Sequence, residues 1–213
     1  MSRLIIIGAG GHGKVIADTA QTMNRFHTIV FLDDFKQGSR ICDLSVVGGF
    51  DVLEAVFEPG DSAAIAFGNN QKRMRYMDIA RKIGYGLPIL IHPRAVVSKH
   101  AQVDEGSVVF ANAVIHADSW VQQGAIINTG AIIEHDNQIG RIAHISPGAC
   151  LAGNTKIGQC SWIGIGSCII QNITVGESCI LAAGSTLLKN MPDYTMFAGS
   201  PAEYKKRLER NRP

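Results

Sequence analysis

The chain has 213 residues, 46% of them hydrophobic, and a formal net charge of +2, which suits one large domain or two small ones with a real core. Its scattered Lys and Arg form no stripe for nucleic acid or an anionic membrane surface, and no run of about 18 apolar residues could cross a bilayer. Five cysteines without a C-x-x-C pair, and an N-terminus that turns glycine-rich after four apolar residues, predict a cytoplasmic protein with reduced thiols and no zinc ribbon.

Residues 1 to about 88 alternate strand and helix signals and predict a small α/β domain with a parallel sheet. "RLIIIGAG" is an apolar run ending in glycines, "GKVIADTAQTM" has helical spacing, and "HTIVFLDD" is a second run ending in two acids. "SAAIAFGNN" is a third run, and "QKRMRYMDIARKIG" is a helix with a glycine stop. "GAGGHGK" fits G-x-G-x-x-G through Gly8, Gly10 and Gly13, and Asp33 and Asp34 end the next strand. Backbone N–H groups at a helix N-terminus suit phosphates, and an acid there suits a ribose hydroxyl. Only one half of a dinucleotide domain fits before Ile91, so a nucleotide diphosphate is expected. An NAD-linked oxidoreductase is the alternative, and a ligand-free turn the third reading. "FGNN" sets Gly68, Asn69 and Asn70 at the same sheet edge, with close backbone approach and amides for a base or sugar.

From Ile91 the period changes to six. The first positions Ile91, Val97, Val103, Val109, Ile115, Val121, Ile127, Ile133, Ile139, Ile145, Leu151, Ile157, Ile163, Ile169, Val175 and Leu181 are all aliphatic. The fifth position is Ala, Ser or Thr in thirteen of sixteen hexads, and the fourth is Gly, Asn or Asp in eleven. That pattern predicts a parallel β-helix: the aliphatic residue fills the interior, the small one fits the tight inside of a corner, and Gly, Asn or Asp tolerates a left-handed turn. Three hexads make one coil, so residues 18 apart stack about 4.8 Å apart.

Third positions then form corner columns. Glu105, Gln123, Arg141, Gln159 and Glu177 make a long polar column expected to face water. Pro93, Ala111, Thr129, Pro147, Ile165 and Ala183 make a short or apolar one, and Lys99, Ala117, His135, Gly153 and Gln171 make the third. Short corners leave room for a partner subunit or a thin ligand. His135 lies under Gly153, with Asp136 directly after it. His144 is half a coil away, so the two histidines are expected to converge only across a subunit interface, and a homotrimer fits a triangular prism. Asp136 also suits the turn on conformational grounds alone. His100 and His116 read as surface residues, and His116, His135 and His144 share no stacking relation that would make a zinc site.

"GAGGHGKV", "FLDD", "FGNN", "IIEHD" and "GSPA", in this order and on these two halves, closely resemble the nucleotide-sugar N-acetyltransferases. Sialic-acid O-acetyltransferases share the architecture and are the nearer alternative. The resemblance implies a half-Rossmann α/β domain over residues 1–88 and a left-handed parallel β-helix with a C-terminal tail over 89–213. It implies acetyl transfer from acetyl-CoA to the 4-amino group of a nucleotide-linked 4-amino-6-deoxy sugar, with no metal. By position, His135 matches the catalytic base and Asp136 the acid after it, where the family's usual residue is Glu. His144 matches a histidine that contacts acetyl-CoA, and Ile165 and Ala183 match positions lining the coenzyme. Gly10, Gly11, His12, Asp33, Asp34 and Gly68 match nucleotide-sugar contacts, and Asn128 a polar residue near the sugar. The backbone N–H of Gly153, stacked over His135, is the expected oxyanion donor. A β-helical scaffold without activity would leave the short corners and the glycine loop unexplained.

Overall fold

The structure is a computed structural model that describes residues 3–209. Its contacts divide the chain near Pro93 and Arg94 into two compact units.

The first unit holds β1 (Arg3–Ile7), α1 (Gly11–Thr22), β2 (Thr28–Leu32), β3 (Arg40–Ile41), β4 (Leu44–Gly48), β5 (Ser62–Ile65) and α2 (Asn70–Ile83). The sheet order is β3-β4-β2-β1-β5, parallel throughout except for the antiparallel β3–β4 pair. Leu4, Ile5, Ile6 and Ile7 are all fully buried, so β1 has both faces covered, which is why its sequence is a continuous apolar run and not an alternating one. Asn69 caps α2 by accepting the Lys72 N–H at 2.8 Å, and Gly84, at φ +116°, ends it. The hairpin of β3 and β4 is absent from the sequence reading, because "ICDLSVVGGF" is too short and too polar to separate from a loop before it pairs with β2. In this topology β1 lies between β2 and β5, and their C-terminal ends, Ile7, Leu32 and Ile65, stand side by side. The glycine loop, the two acids and the FGNN segment therefore emerge at one sheet edge, where open α/β sheets bind ligands.

The second unit is a parallel β-helix of two-residue strands. Each strand pairs with the one 18 residues on, as in the ladder Val114↔Ile132↔Cys150↔Cys168↔Thr186. First-position residues such as Ile133, Ile145 and Ile163 fill the interior, and fifth-position Ala131, Ala143 and Ser161 are equally buried. Every fourth position from Gly106 to Gly184 has positive φ. Ile142, Cys160 and Ser178 obey the same geometry at φ +61°, +57° and +51°. Their sequence alone would not select it; the coil imposes a left-handed backbone that costs an ordinary L-residue about 1–2 kcal/mol. The long polar column is only partly in water. Glu105, Gln159 and Glu177 are exposed, but Gln123 and Arg141 are half-covered, and Gln122 Oε1 accepts the Arg141 backbone N–H at 3.1 Å.

A glycine column at Gly140, Gly158 and Gly176 runs up one edge of the coil. A Cβ on Gly158 would meet the Gly176 carbonyl and lie 2.6 Å from the Glu177 nitrogen, and one on Gly140 would lie 2.7 Å from the Gln159 nitrogen. Rigid backbone cannot yield as a side chain can, so Gly158→Ala is expected to cost about 1–3 kcal/mol, measurable as a lower urea midpoint with an unchanged m-value. The strands Thr195–Ala198 and Glu203–Arg207 finish the stack. The first adds in parallel to the Ile180–Leu181 rung and the second folds back antiparallel on it.

Candidate active site

His135 stands on an exposed corner of the β-helix, with its side chain 63% accessible. The left-handed turn at Asp136, φ +60°, brings that carboxylate back onto the ring, and His135 Nδ1 lies 2.6 Å from Asp136 Oδ2. A carboxylate can only accept there, so Nδ1 carries the proton and Nε2 the lone pair. This hydrogen bond raises the His135 pKa above its ordinary value against the opposing desolvation, and the charges of Asp136 and Glu134 add to it. A Cβ on Gly153 would lie 2.5 Å from His135 Cε1 and 2.6 Å from Nε2, so the glycine is what lets the rung above pass over the imidazole. Behind the corner runs a buried polar ladder of Ser119, Asn137 and Thr155. Ser119 Oγ and Asn137 Nδ2 both donate to the Glu134 carbonyl, at 2.7 and 2.6 Å, and Asn137 Nδ2 also reaches Ala152 O at 3.1 Å. The backbone on either side of His135 and Gly153 is therefore pinned from inside.

His144 sits on a flat face, in the strand His144–Ile145, and belongs to a separate group. Asn128 Nδ2 lies 3.1 Å from its Nε2, and the Trp162 ring stacks on it within 5° of parallel. Ile165 and Ala183 occupy adjacent rungs of the short corner column, and both are exposed, Ile165 at 59%. Exposed apolar residues aligned along one edge are a fitting track for a slender, partly apolar ligand.

In the first unit, Gly8 has φ +109°, and a Cβ on Gly13 would clash with the Gly8 carbonyl, so the strand-to-helix turn demands both glycines. A Cβ on Gly10, Gly11 or Gly68 would meet nothing within 4 Å, which leaves open approach to the backbone at the α1 N-terminus. Asp33 is buried and accepts the Ala9 N–H at 2.8 Å and the Phe35 N–H at 3.0 Å, and Lys36 Nζ donates to the Ala9 carbonyl at 2.7 Å. Asp34 is exposed and accepts the Phe50 N–H at 2.7 Å. Part of the carboxylate capacity of both acids thus goes to shaping the loop. Burial, assisted by the nearby Arg73 charge, holds the His12 pKa down at about 4, so His12 is neutral at pH 7. Beside Asp34 a pocket of about 400 Å³ is lined by Phe50, Leu53, Tyr76 and Ile79.

These two groups of residues have counterparts in known proteins. Residues 3–80 match the PglD N-terminal domain, and residues 154–189 match the bacterial transferase hexapeptide (six repeats). The acetyltransferase domain of PglB from Neisseria gonorrhoeae FA1090 is 43% identical, with a TM-score of 0.93 over 95% of this chain and 99% of that one. The chain belongs to the β-helical nucleotide-sugar N-acetyltransferases. Within this family the PglB domain has also been solved in complex with acetyl coenzyme A. PerB from Caulobacter crescentus, in complex with CoA and GDP-perosamine, is 35% identical, with a TM-score of 0.88 over 95% of this chain and 97% of that one. UDP-N-acetylbacillosamine N-acetyltransferase of Bacillus subtilis (strain 168) is 37% identical over 117 residues, and the match spans about half its length, 52% of each chain. The β-helix of this family is left-handed, in accord with the positive φ at every corner from Gly106 to Gly184.

Measured against the sequence reading, the structure joins His135, Asp136 and Gly153, and it keeps His144 in a different contact group of the same chain. Asn128, expected near the sugar, has its Nδ2 3.1 Å from His144 Nε2. Asn69 and Asn70, read as amides for a ligand, have their Oδ1 atoms engaged by Lys72 N–H and by Arg73 Nη2. Two residues were missed. Trp162 is an outward position of a strand, where any residue is allowed, so only its stacking singles it out. Arg73, 2% exposed, lies in an ordinary helical pattern, yet its Nη1 donates to the Phe67 carbonyl at 2.9 Å and so fixes the FGNN segment. Among the described residues, no group of three His, Cys, Asp or Glu side chains converges and no helix is long and apolar enough to cross a membrane.

Proposed function

We propose that this protein transfers the acetyl group of acetyl-CoA to the 4-amino group of a nucleotide-linked 4-amino-6-deoxy sugar, with His135 as general base. The observation that carries the reading is the His135–Asp136 pair at 2.6 Å on an exposed corner, with Gly153 packed against its ring. Support for the substrates comes from the acetyl coenzyme A bound by the PglB domain and the GDP-perosamine bound by PerB. The α/β unit, read as half of a dinucleotide-type fold, holds the diphosphate at the α1 N-terminus through the Gly10–His12 backbone, with Asp33, Asp34 and Gly68 at the same edge. The coenzyme lies along Ile165 and Ala183 beside His144.

The amine lone pair attacks the thioester carbonyl and a C–N bond forms. His135 Nε2 takes the proton that the amine must lose, and Asp136 favours the imidazolium. The oxyanion accepts a hydrogen bond from the Gly153 N–H. Collapse breaks the C–S bond, and the proton on His135 passes to the departing thiolate. Both substrates are bound together, so positioning replaces an acyl-enzyme. The active assembly is a homotrimer whose coenzyme site takes His135 from one chain and His144 from the next.

The test is thiol release from acetyl-CoA against a panel of UDP-, dTDP- and GDP-linked 4-amino sugars. One sugar nucleotide should release thiol stoichiometrically with amide formation; none doing so would reject the reading. Mixing His135→Ala with His144→Ala subunits should restore part of the activity, because some interfaces then carry both native histidines. No recovery at all would reject the shared site.

A further inference from the structure

Asn128 Nδ2 lies 3.1 Å from His144 Nε2. Which way an amide points is usually a choice between similar atoms. Here a backbone group decides it, because the Thr129 N–H, which can only donate, lies 2.9 Å from Asn128 Oδ1. The oxygen is committed to Thr129, so the amide NH₂ faces the imidazole. A donor facing Nε2 requires a lone pair there, which puts the ring proton on Nδ1. The plane of the ring is set separately. Trp162 stacks on it at a centroid distance of 5.9 Å, and the indole Nε1–H is tied to Ser146 Oγ at 2.7 Å, so the stack cannot rotate freely.

We propose that Asn128 and Trp162 are positioning residues that hold His144 as the Nδ1–H tautomer in a fixed plane, making it a hydrogen-bond donor to an oxygen of bound substrate and not a base. His135 is the converse case: Asp136 takes its Nδ1–H and leaves the lone pair on Nε2. One histidine can accept a proton while the other supplies one to an acceptor, so the two cannot exchange roles. The identity of the oxygen, a carbonyl of the thioester coenzyme, rests on the acetyltransferase reading; the tautomer does not.

The experiment is a two-bond ¹H–¹⁵N correlation on the full chain labelled with ¹⁵N-histidine, without ligand and above pH 7, using His144→Gln for assignment. Wild-type His144 should show Nδ1 protonated and Nε2 bare. Asn128→Asp, whose carboxylate accepts, should put a proton on Nε2. A wild-type Nε2–H tautomer, or an Asn128→Asp spectrum identical to wild type at His144, would overturn the proposal. In kinetics, Asn128→Asp and Trp162→Ala should raise the acetyl-CoA KM about tenfold, the size of one lost hydrogen bond, with the nucleotide-sugar KM unchanged. Trp162→Phe keeps a stacking ring and should recover most of that loss. A rise confined to the nucleotide-sugar KM would overturn the link between Asn128 and His144. A correct tautomer in a wild-type protein that transfers no acetyl group would reject the acetyltransferase reading and leave this one standing.

Discussion

His135→Ala should lower kcat/KM by about 10²-fold or more, the usual contribution of a positioned general base, while the melting temperature stays close to wild type. The stability half of that expectation follows from exposure: the side chain is 63% accessible, so its removal opens no cavity. The pH dependence follows from the direction of the pKa shift. Nε2 can take a proton only when the ring is neutral. The hydrogen bond that His135 donates to Asp136 raises the pKa, so activity should fall as pH drops through a limb lying above the ordinary histidine value of about 6.5. Asp136→Asn removes the carboxylate, and the limb should move to lower pH with a smaller loss of kcat than His135→Ala. A pH–rate profile of kcat/KM checks both. An unmoved limb in Asp136→Asn would leave Asp136 a turn residue only, and full activity in His135→Ala would remove the base.

Gly153→Ala should inactivate by a different route. The added Cβ would lie within 2.6 Å of two His135 ring atoms, closer than real Cβ contacts, and the side chain most able to move is the exposed imidazole itself. Its displacement breaks the alignment with Asp136, and a misplacement of about 1 Å can cost about 10²-fold. The backbone of the rung is undisturbed, so the chain should keep its melting temperature and its affinity for the nucleotide sugar, measured by calorimetry. Gly158→Ala is the useful contrast, because there the obstacle is backbone, and stability is lost before activity. Were Gly153→Ala fully active, the imidazole would have to work in a second position, and the stacking at this corner would carry no catalytic weight.

The β-helix was legible in the sequence because its period is covalent. Six residues per side is a property of chain geometry, so aliphatic first positions and small fifth positions must recur wherever the coil continues. The contact of Gly153 with His135 follows from the same arithmetic of 18, and the α/β order of the first unit from its alternating runs. Asp136 bonding to His135 was readable too, since the two are sequence neighbours on a turn that favours Asp. Other features were decided by packing between segments far apart in the chain. Ile142 takes a left-handed conformation because the rungs above and below leave it no other, although its β-branched side chain opposes it. The β4 strand exists because β2 offers it an edge. Asn128 goes to His144, 16 residues on, and its orientation is settled by a third group, Thr129 N–H, which no pattern of residue types encodes. Trp162 and Arg73 acquire their roles from a stacked ring and from loop carbonyls brought to them by the fold. Periodicity determines which residues share a column; only the tertiary structure determines which polar atoms of those columns come within hydrogen-bonding reach of one another.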